Sequence, residues 1–502
     1  MFRRELHALV LALAAVSQSA TVSAQTPTPP PADAAVDPRL AQPLHLEDCI
    51  DIALQNNLDL RLARLSEAAT RTTITEARGA FWPVVGLTYD RLRNHLHGEH
   101  PDKTEHFDNG FASVSQLLPL GTQAAFTYGA LHYRLDPDLS DRPANQWTFS
   151  LTQPLLRGGW WRTTTAGVRG AGYDTRISES NLEATRLAVV QQVKTAYYEV
   201  LRQLKLVEVS AKAIERDDQL VLESRSKLDA GLGTKRDVLS AEIQLEQDRG
   251  KLVDAQTAYN EALDGLARVL GLQVEAQRID IADSEVPLDS VEIRENEWVA
   301  KALRDNPALR AARMAVERTR LDMQVAGNGR LPQLDLSLIY NSLDDPDLNE
   351  LIKEENRFRI LVGKEPKELE FTASEGWQAL FTFSYPIGNR TLGAAYERTR
   401  LLHQQSQRAL EDTQRQVALD VRTAIRSLRN RVEQVHILQK SMDGAKNKLE
   451  FASVNFQLGR ASNLDITDAQ KDLLDAQIDF VNAVIDYQVQ LATIEAIVGG
   501  FE

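Results

Sequence analysis

One cysteine, Cys49, is all that a chain of 502 residues contains. That excludes an intramolecular disulfide framework and any cysteine-rich zinc site. Proline is missing from 155–286 and again from 387–502, so nothing in either tract forces a helix to stop. Aromatic residues are only 6% of the chain. Basic residues are outnumbered, 57 against 71 acidic ones, for a formal net charge of -14. An acidic surface of that size argues against nucleic acid as a partner. Past the N-terminal residues no apolar run approaches about 18 residues, so no membrane-spanning helix is expected, and entry into a membrane would require a barrel. What is present is a hydrophobic content of 43%, sufficient for a core,. Long tracts are dominated by Ala, Leu, Gln, Arg, Glu and Asp, the composition of long helices,.

The first residues read as an address. Arg3 and Arg4 precede the apolar run Ala8–Val16, and Val22-Ser23-Ala24 supplies small residues before Gln25. A secretory signal over 1–24 is therefore expected, followed by a Pro-rich linker over 25–45. Cys49 falls inside a helical pattern and is expected to be a small buried residue rather than a reactive thiol.

Both proline-free tracts carry apolar residues at 3.5–3.6-residue spacing. Val189, Val193, Ala196, Val200, Leu204 and Val207 form one stripe, and Val417, Val421, Ile425, Leu428, Val432 and Val435 another. Each tract breaks once, at Gly231-Leu232-Gly233 and at Gly459-Arg460-Ala461, and a capping box follows each break: Thr234-x-x-Asp237 and Ser462-x-x-Asp465,. Two helical hairpins result. Their ascending arms, 162–230 and 388–458, would each be ~100 Å long, and their descending arms, 235–271 and 463–498, about half that. Two further helical patterns, 46–82 and 295–330, supply the missing halves. A long helix packed against two short ones stacked end to end satisfies these lengths, with 272–294 as a belt at mid-height.

The chain is also internally duplicated. At an offset of 249, Ala53, Leu54, Asn57, Leu60 and Arg61 match Ala302, Leu303, Asn306, Leu309 and Arg310, and Pro83 falls on Pro332. At an offset of 228, Gly231, Asp237, Ala241, Tyr259 and Gly271 match Gly459, Asp465, Ala469, Tyr487 and Gly499. The repeats are expected over 46–290 and 291–502.

Between the helices lie alternating segments of about nine residues, the pattern of membrane-barrel strands. Val85, Leu87 and Tyr89 belong to one; Trp147, Phe149 and Leu151 to the second; Leu334, Leu336, Leu338 and Tyr340 to the third; Trp377, Ala379, Phe381, Phe383 and Tyr385 to the fourth. Four strands cannot close a membrane barrel, whose minimum is about eight, so several protomers must share one. The stretch 93–143 adds an open choice. Phe111–Leu117 and Gln123–Tyr133 there could form a further hairpin, making the count per protomer four or six.

Taken in order, Glu76-Ala77-Arg78, Pro83 and Gly86-Leu87, the run Gln153-Pro154-Leu155-Leu156-Arg157-Gly158, its partner Tyr385-Pro386-Ile387-Gly388 and the two hairpin tips resemble the TolC family of outer-membrane efflux proteins. The resemblance spans about 46–500. It implies a mixed, mainly α fold, in which a long α-helical coiled-coil barrel joins a membrane β-barrel built from several protomers. It also implies a homotrimer in the outer membrane of a Gram-negative cell, extending into the periplasm, with a periplasmic adaptor (membrane fusion protein) and an inner-membrane pump as partners. The function implied is an exit duct for efflux or type I secretion. By the same resemblance Asp465 and Asp468 would ring the pore entrance, and Asp237 would help hold it shut. The family's tyrosine and arginine are replaced by Phe456 and Ala461, with Arg460 adjacent as the substitute gating partner. The tips Gly231, Leu232, Gly233, Thr234 and Gly459, Arg460, Ala461, Ser462 would meet the adaptor.

Capping duty alone accounts for Asp237 and Asp465, and turn chemistry alone accounts for the tip glycines. His95, His97, His100 and His106 are dense enough to tempt a metal reading, yet they lack periodicity and are expected in a solvated loop. Asp344–Glu370 is likewise expected to be a loop beyond the membrane. No catalytic triad, phosphate loop, resident metal or other cofactor is expected. The competing reading is a soluble periplasmic coiled-coil scaffold, which explains the helices but not the aromatic strands.

Overall fold

The computed structural model describes residues 42–96, 103–136, 140–231, 233–272, 279–283, 292–344, 373–388, 390–458 and 460–500. The signal, nearly all of the Pro-rich linker, His97, His100, Leu232, Gly459 and most of Asp344–Glu370 lie outside these residues. In chain order the elements are α1 (Leu46–Asn56), α2 (Leu58–Gly79), β1 (Val84–Leu96), β2 (Lys103–Leu117), β3 (Gln123–Asp136), β4 (Ser140–Pro154), α3 (Trp161–Thr164), α4 (Ala166–Asp229) and α5 (Lys235–Leu270). The second half follows with α6 (Glu295–Asp305), α7 (Pro307–Gly329), β5 (Gln333–Asp344), β6 (Ala373–Ser384), α8 (Arg390–Gln457) and α9 (Asn463–Val498).

Helix α4 has 64 residues and α8 has 68, so each runs roughly 100 Å,. The descending α5 and α9 have 36 residues each, about 54 Å,. Helix α4 packs on α5 and α9 towards the hairpin tips and on α2 and α7 towards the sheet. Helix α8 packs on α9 and α7. Every level is thus a layer of four helices, α5-α4-α9-α8 below and α2-α4-α7-α8 above. Among the described residues no comparable contact joins α8 back to α2 or α5, so the layer is open at both sides. That openness explains a departure from the expected stripe: Val417, Val421, Ile425, Leu428 and Val435 are buried, but Val432 is 46% exposed.

The patterns 46–82 and 295–330 do not form single helices. Each breaks at an asparagine, Asn57 (φ -56, ψ 130) and Asn306 (φ -59, ψ 125), and the two breaks are built alike. The Asn57 side chain accepts from the Leu60 N–H at 3.2 Å and donates to the Val269 carbonyl at 2.9 Å. Asn306 accepts from Ala308 at 2.9 Å and donates to Ile497 at 3.0 Å. One amide therefore satisfies the first turn of the upper helix and the last turn of the lower helix stacked beneath it. Gly271 and Gly499 end the lower helices in left-handed conformations (φ 74 and 93), and a side chain at Gly271 would strike the Asn56 carbonyl.

The belt is anchored at the same height. Leu44 exchanges backbone bonds with Asp280 and Ala282 at 2.9 and 3.0 Å, and Tyr197 donates to the Asp283 carboxylate at 2.6 Å. Cys49 is fully buried there, among Ile52, Tyr197 and Leu201. Burial, then the charges of Asp48 and Asp283, push its thiol up to about 12, so it is unreactive at ordinary pH,. Between the halves, Asp486 accepts from Arg202 of α4 at 2.8 Å and Arg431 of α8 at 2.7 Å. Lys194 and Glu495 pair nearby.

The six strands form one antiparallel sheet in the order β1-β2-β3-β4-β5-β6. The open choice over 93–143 resolves to six: β2 and β3 sit inside the sheet, not beside it. His95 and His106, expected in a loop, belong to β1 and β2, on the face that also carries Leu87 and Ala112. His95 Nδ1 lies 3.1 Å from the Thr104 hydroxyl.

Replacing Asn57 or Asn306 by Ala should destabilise the fold by about 1–2 kcal/mol each, through the lost cap and the orphaned carbonyl. Aspartate in place of Asn57 keeps the cap acceptor but turns a carboxylate on the Val269 carbonyl, so at neutral pH it should do no better than Ala. Unfolding followed by helical circular dichroism reads both, and an unshifted midpoint in the Ala variants contradicts the junction's role.

Candidate functional site at the hairpin tips

The two hairpins end side by side. In the first, α4 gives way at Ala230 to Gly231 (φ 75), and Thr234 opens α5. The Thr234 N–H and hydroxyl donate to Asp237 Oδ2 at 2.9 and 2.6 Å, and the Asp237 N–H returns to the Thr234 hydroxyl at 3.3 Å. The second tip repeats the box. The Ser462 N–H and hydroxyl donate to Asp465 Oδ2 at 2.7 and 2.8 Å, with Asp465 N–H returning at 3.4 Å. Hydrogen bonds from Thr234 hold the Asp237 carboxyl below the usual range, and those from Ser462 do the same for Asp465,. Both carboxylates are ionised and committed to helix starts, Asp465 exposed and Asp237 half-buried.

Beneath the tips, Leu220, Val221, Ala241, Leu245, Ala452, Phe456, Ile466 and Ala469 form a small apolar core shared by both hairpins. Two polar links across it were not legible from the chain. Lys227 of α4 donates to the Phe456 carbonyl of α8 at 2.7 Å while its ammonium sits 3.0 Å from the centre of the Phe456 ring,. Asn463, buried at the start of α9, donates to the Ser224 hydroxyl at 2.7 Å and to the Asp237 carbonyl at 2.9 Å. Near the tips, these two polar links join hairpin to hairpin. Asp237 takes part through its backbone. Arg460 is exposed, its N–H donates to the Asn455 carbonyl, and it forms no ion pair with Asp237 among the described residues.

Asp468 lies one turn past Asp465 and is exposed. The same face of α9 carries Asp472, Asp475 and Asp479, all exposed, at alternating spacings of three and four residues. Lys448 of α8 pairs with Asp472. Sequence reading stopped at the first two aspartates, although the heptad spacing of the acidic residues was there to be followed.

A second acidic feature lies deeper in the first hairpin. Asp217 of α4 and Asp248 of α5 are both almost fully buried. Burial, then a hydrogen bond and repulsion from Asp248, push the Asp217 carboxyl up to about 7. Burial opposes ionisation of Asp248, but Lys251 at 2.8 Å and Gln244 at 3.0 Å outweigh it and hold that group down. The pair therefore retains one proton, on Asp217, towards neutral pH.

The chain matches the family model described as outer membrane efflux protein over residues 49–272 and again over 298–500. It is 24% identical to outer membrane protein TolC of Vibrio cholerae over 372 residues, covering 73% of this chain and 78% of that one. It is 22% identical to the proteases secretion protein PrtF of Dickeya chrysanthemi over 436 residues, 86% of this chain and 83% of that one. Among solved structures, the outer-membrane channel OprN superposes with a TM-score of 0.66 at 15% identity, over 91% of this chain and 90% of that one.

The buried carboxyl pair sets a pH dependence. A carboxyl whose folded value is raised contributes full stability below the unfolded value near ~4 and loses it as pH rises through the folded value, here about 7,. Thermal midpoints should therefore decline between pH ~4 and ~7 and then level. Asp217→Asn should flatten that decline, and an unchanged slope would show that the pair does not titrate in this window.

Proposed function

The chain belongs to the outer membrane efflux protein family, and on that premise we propose that the hairpin tips are the gated periplasmic entrance of its pore. The protein is an outer-membrane efflux or secretion channel of the Gram-negative envelope, extending from the outer membrane into the periplasm. Its family is one of channels rather than enzymes; members trimerise and work with adaptor and inner-membrane pump partners. Repeats 46–290 and 291–502 are taken as the two halves of one protomer, so that three protomers present six hairpins at the entrance.

The observation that carries the gate is the pair of links between the hairpins. Lys227 on Phe456 and Asn463 on Ser224 and Asp237 tie the second hairpin to the first. Opening an entrance made of such hairpins requires them to part, so these bonds hold the closed state. Asp237 and Arg460, the gating partners implied by the family resemblance, act differently: Asp237 through its carbonyl, and Arg460 as an exposed cation at the tip.

Asp465 and Asp468 are the entrance carboxylates in this reading. With three copies they form a ring of six, favouring cations and open to block by multivalent ones. Asp472, Asp475 and Asp479 would extend the ring into a column lining the approach. The tips Gly231–Thr234 and 459–462 are the surface offered to the cognate adaptor, small enough for another helical hairpin to dock between them. PrtF is by name a protease secretion protein, which supports polypeptide export as one service of this duct.

In planar bilayers, Asn463→Ala should raise the open probability and conductance. Two hydrogen bonds at about 1 kcal/mol each shift each protomer's equilibrium by roughly 30-fold. Lys227→Ala should act in the same direction. Conductance unchanged in the combined variant would rule out the lock.

Asp468→Ala should weaken cation selectivity and multivalent-cation block without disturbing assembly, since Asp468 serves no cap. An Asp465→Ala change removes the capping box as well, at roughly 1 kcal/mol, so Asp465→Glu is its charge-preserving control. Selectivity and block both intact in an assembled Asp465/Asp468 double Ala variant would restrict these residues to shaping the helix.

A further inference from the structure

We propose that the membrane barrel of this channel has eighteen strands, six from each of three copies, with β6 of one copy paired to β1 of the next. The inference rests on the outer-membrane channel reading above and adds the size of the pore's exit. It begins with the hairpin β2–β3, which is continuous with the rest of the wall. Every residue from Val84 to Leu96 pairs with β2, β2 pairs with β3 from Thr104 to Leu117, and β3 pairs with β4 from Gln123 to Leu135.

The registers place one apolar face across all six strands. Leu87 lies opposite Ala112, Ala112 opposite Tyr128 and Tyr128 opposite Trp147; Phe149 lies opposite Tyr340 and Tyr340 opposite Trp377. The other face carries Thr88, Ser113, Thr127, Thr148, Ser337 and Thr382, the polar side expected of a water-filled lumen,. On that face Phe111 packs over Gly129, where an added Cβ would come within 2.7 Å of its ring. This close fit pins the register of the added hairpin. A hairpin folded outside the wall would need neither the shared faces nor the pinned register.

The edges then ask for a partner. Six strands are too few to close a membrane barrel, and β1 and β6 each lack a neighbour on one side among the described residues. Neither edge carries a proline to blunt pairing,. Because the strand number is even, β1 and β6 run in opposite directions, so a second copy extends the sheet antiparallel without a break. Lengths agree too. A strand spacing of ~4.8 Å at a tilt of ~40° contributes about 6 Å of perimeter per strand, or roughly 110 Å for eighteen. Twelve helices, four per level from each of three copies, at ~9 Å between axes also give roughly 110 Å. Twelve strands would give only about 75 Å. The added hairpin matches the barrel to the helical duct below it.

Electron cryo-microscopy of the full mature chain in lipid nanodiscs, with native mass spectrometry for copy number, tests this. Eighteen strands and three copies are expected. A closed twelve-strand wall, whether from two copies or from three with β2–β3 displaced from it, would overturn the inference while leaving the channel reading intact. Failure of the protein to insert into lipid at all would sink both. Replacing residues 97–139 with Asn-Gly, a two-residue hairpin turn, should yield three copies with twelve strands. If the wild-type and deleted proteins show the same strand number, the hairpin contributes nothing to the wall.

Discussion

Everything above and below mid-height depends on one side-chain amide per repeat. Asn57 and Asn306 sit where two helices meet end to end against an unbroken third. Helix ends leave backbone groups without partners, and burying them is costly. Each asparagine meets that need on both sides at once: its oxygen caps the helix above and its nitrogen serves the helix below. Without it, both helix ends at the joint would keep a backbone group without its partner,.

The same logic recurs at smaller scale. Asp486 binds one arginine from each long helix, joining the two repeats, and Asn463 binds both a side chain and a backbone group of the other hairpin. Apolar stripes supply most of the packing energy, but they do not fix register along a seam of similar residues. Polar side chains with two partners do. This division explains why exposed apolar residues such as Leu402, Val432, Ile437 and Phe451 crowd α8, the open side of the four-helix layer, and why Leu62, Leu65 and Leu239 stand exposed on α2 and α5 at the other. Within one copy those two sides have no helix to cover them among the described residues.

Most of the helical plan was legible in the chain. Both capping boxes, the glycines at both hairpin tips and the mismatch of helix lengths were visible as local signals. Local signals also misled. Asn57 stands in an unbroken helical pattern, and its tertiary partner Val269 adds to the local cap on Leu60 to make the break worthwhile; Pro307, at the first position of α7, marks the second break,. The stretch 93–143 mixes histidines, charges and glycine with short apolar runs, so the chain alone left four and six strands both open, and the pairing decides for six. Lys227 and Asn463 carry no sequence signature because their role exists only where two hairpins, more than two hundred residues apart, come into contact. The carboxylates at Asp465 and Asp468 were found by likeness, while the acidic heptad that continues them was readable but unread.

The mid-height junction has a mechanical side. Of the described helices, only α4 and α8 cross that level with continuous backbone; the others stop and restart there. A helical layer with half its struts cut at one height bends most easily at that height. The lower hairpins are then lever arms about 54 Å long,. A tilt of about 10° about the junction would swing their tips by roughly 9 Å. Such a bend moves the tips far more than the helices that adjoin the sheet.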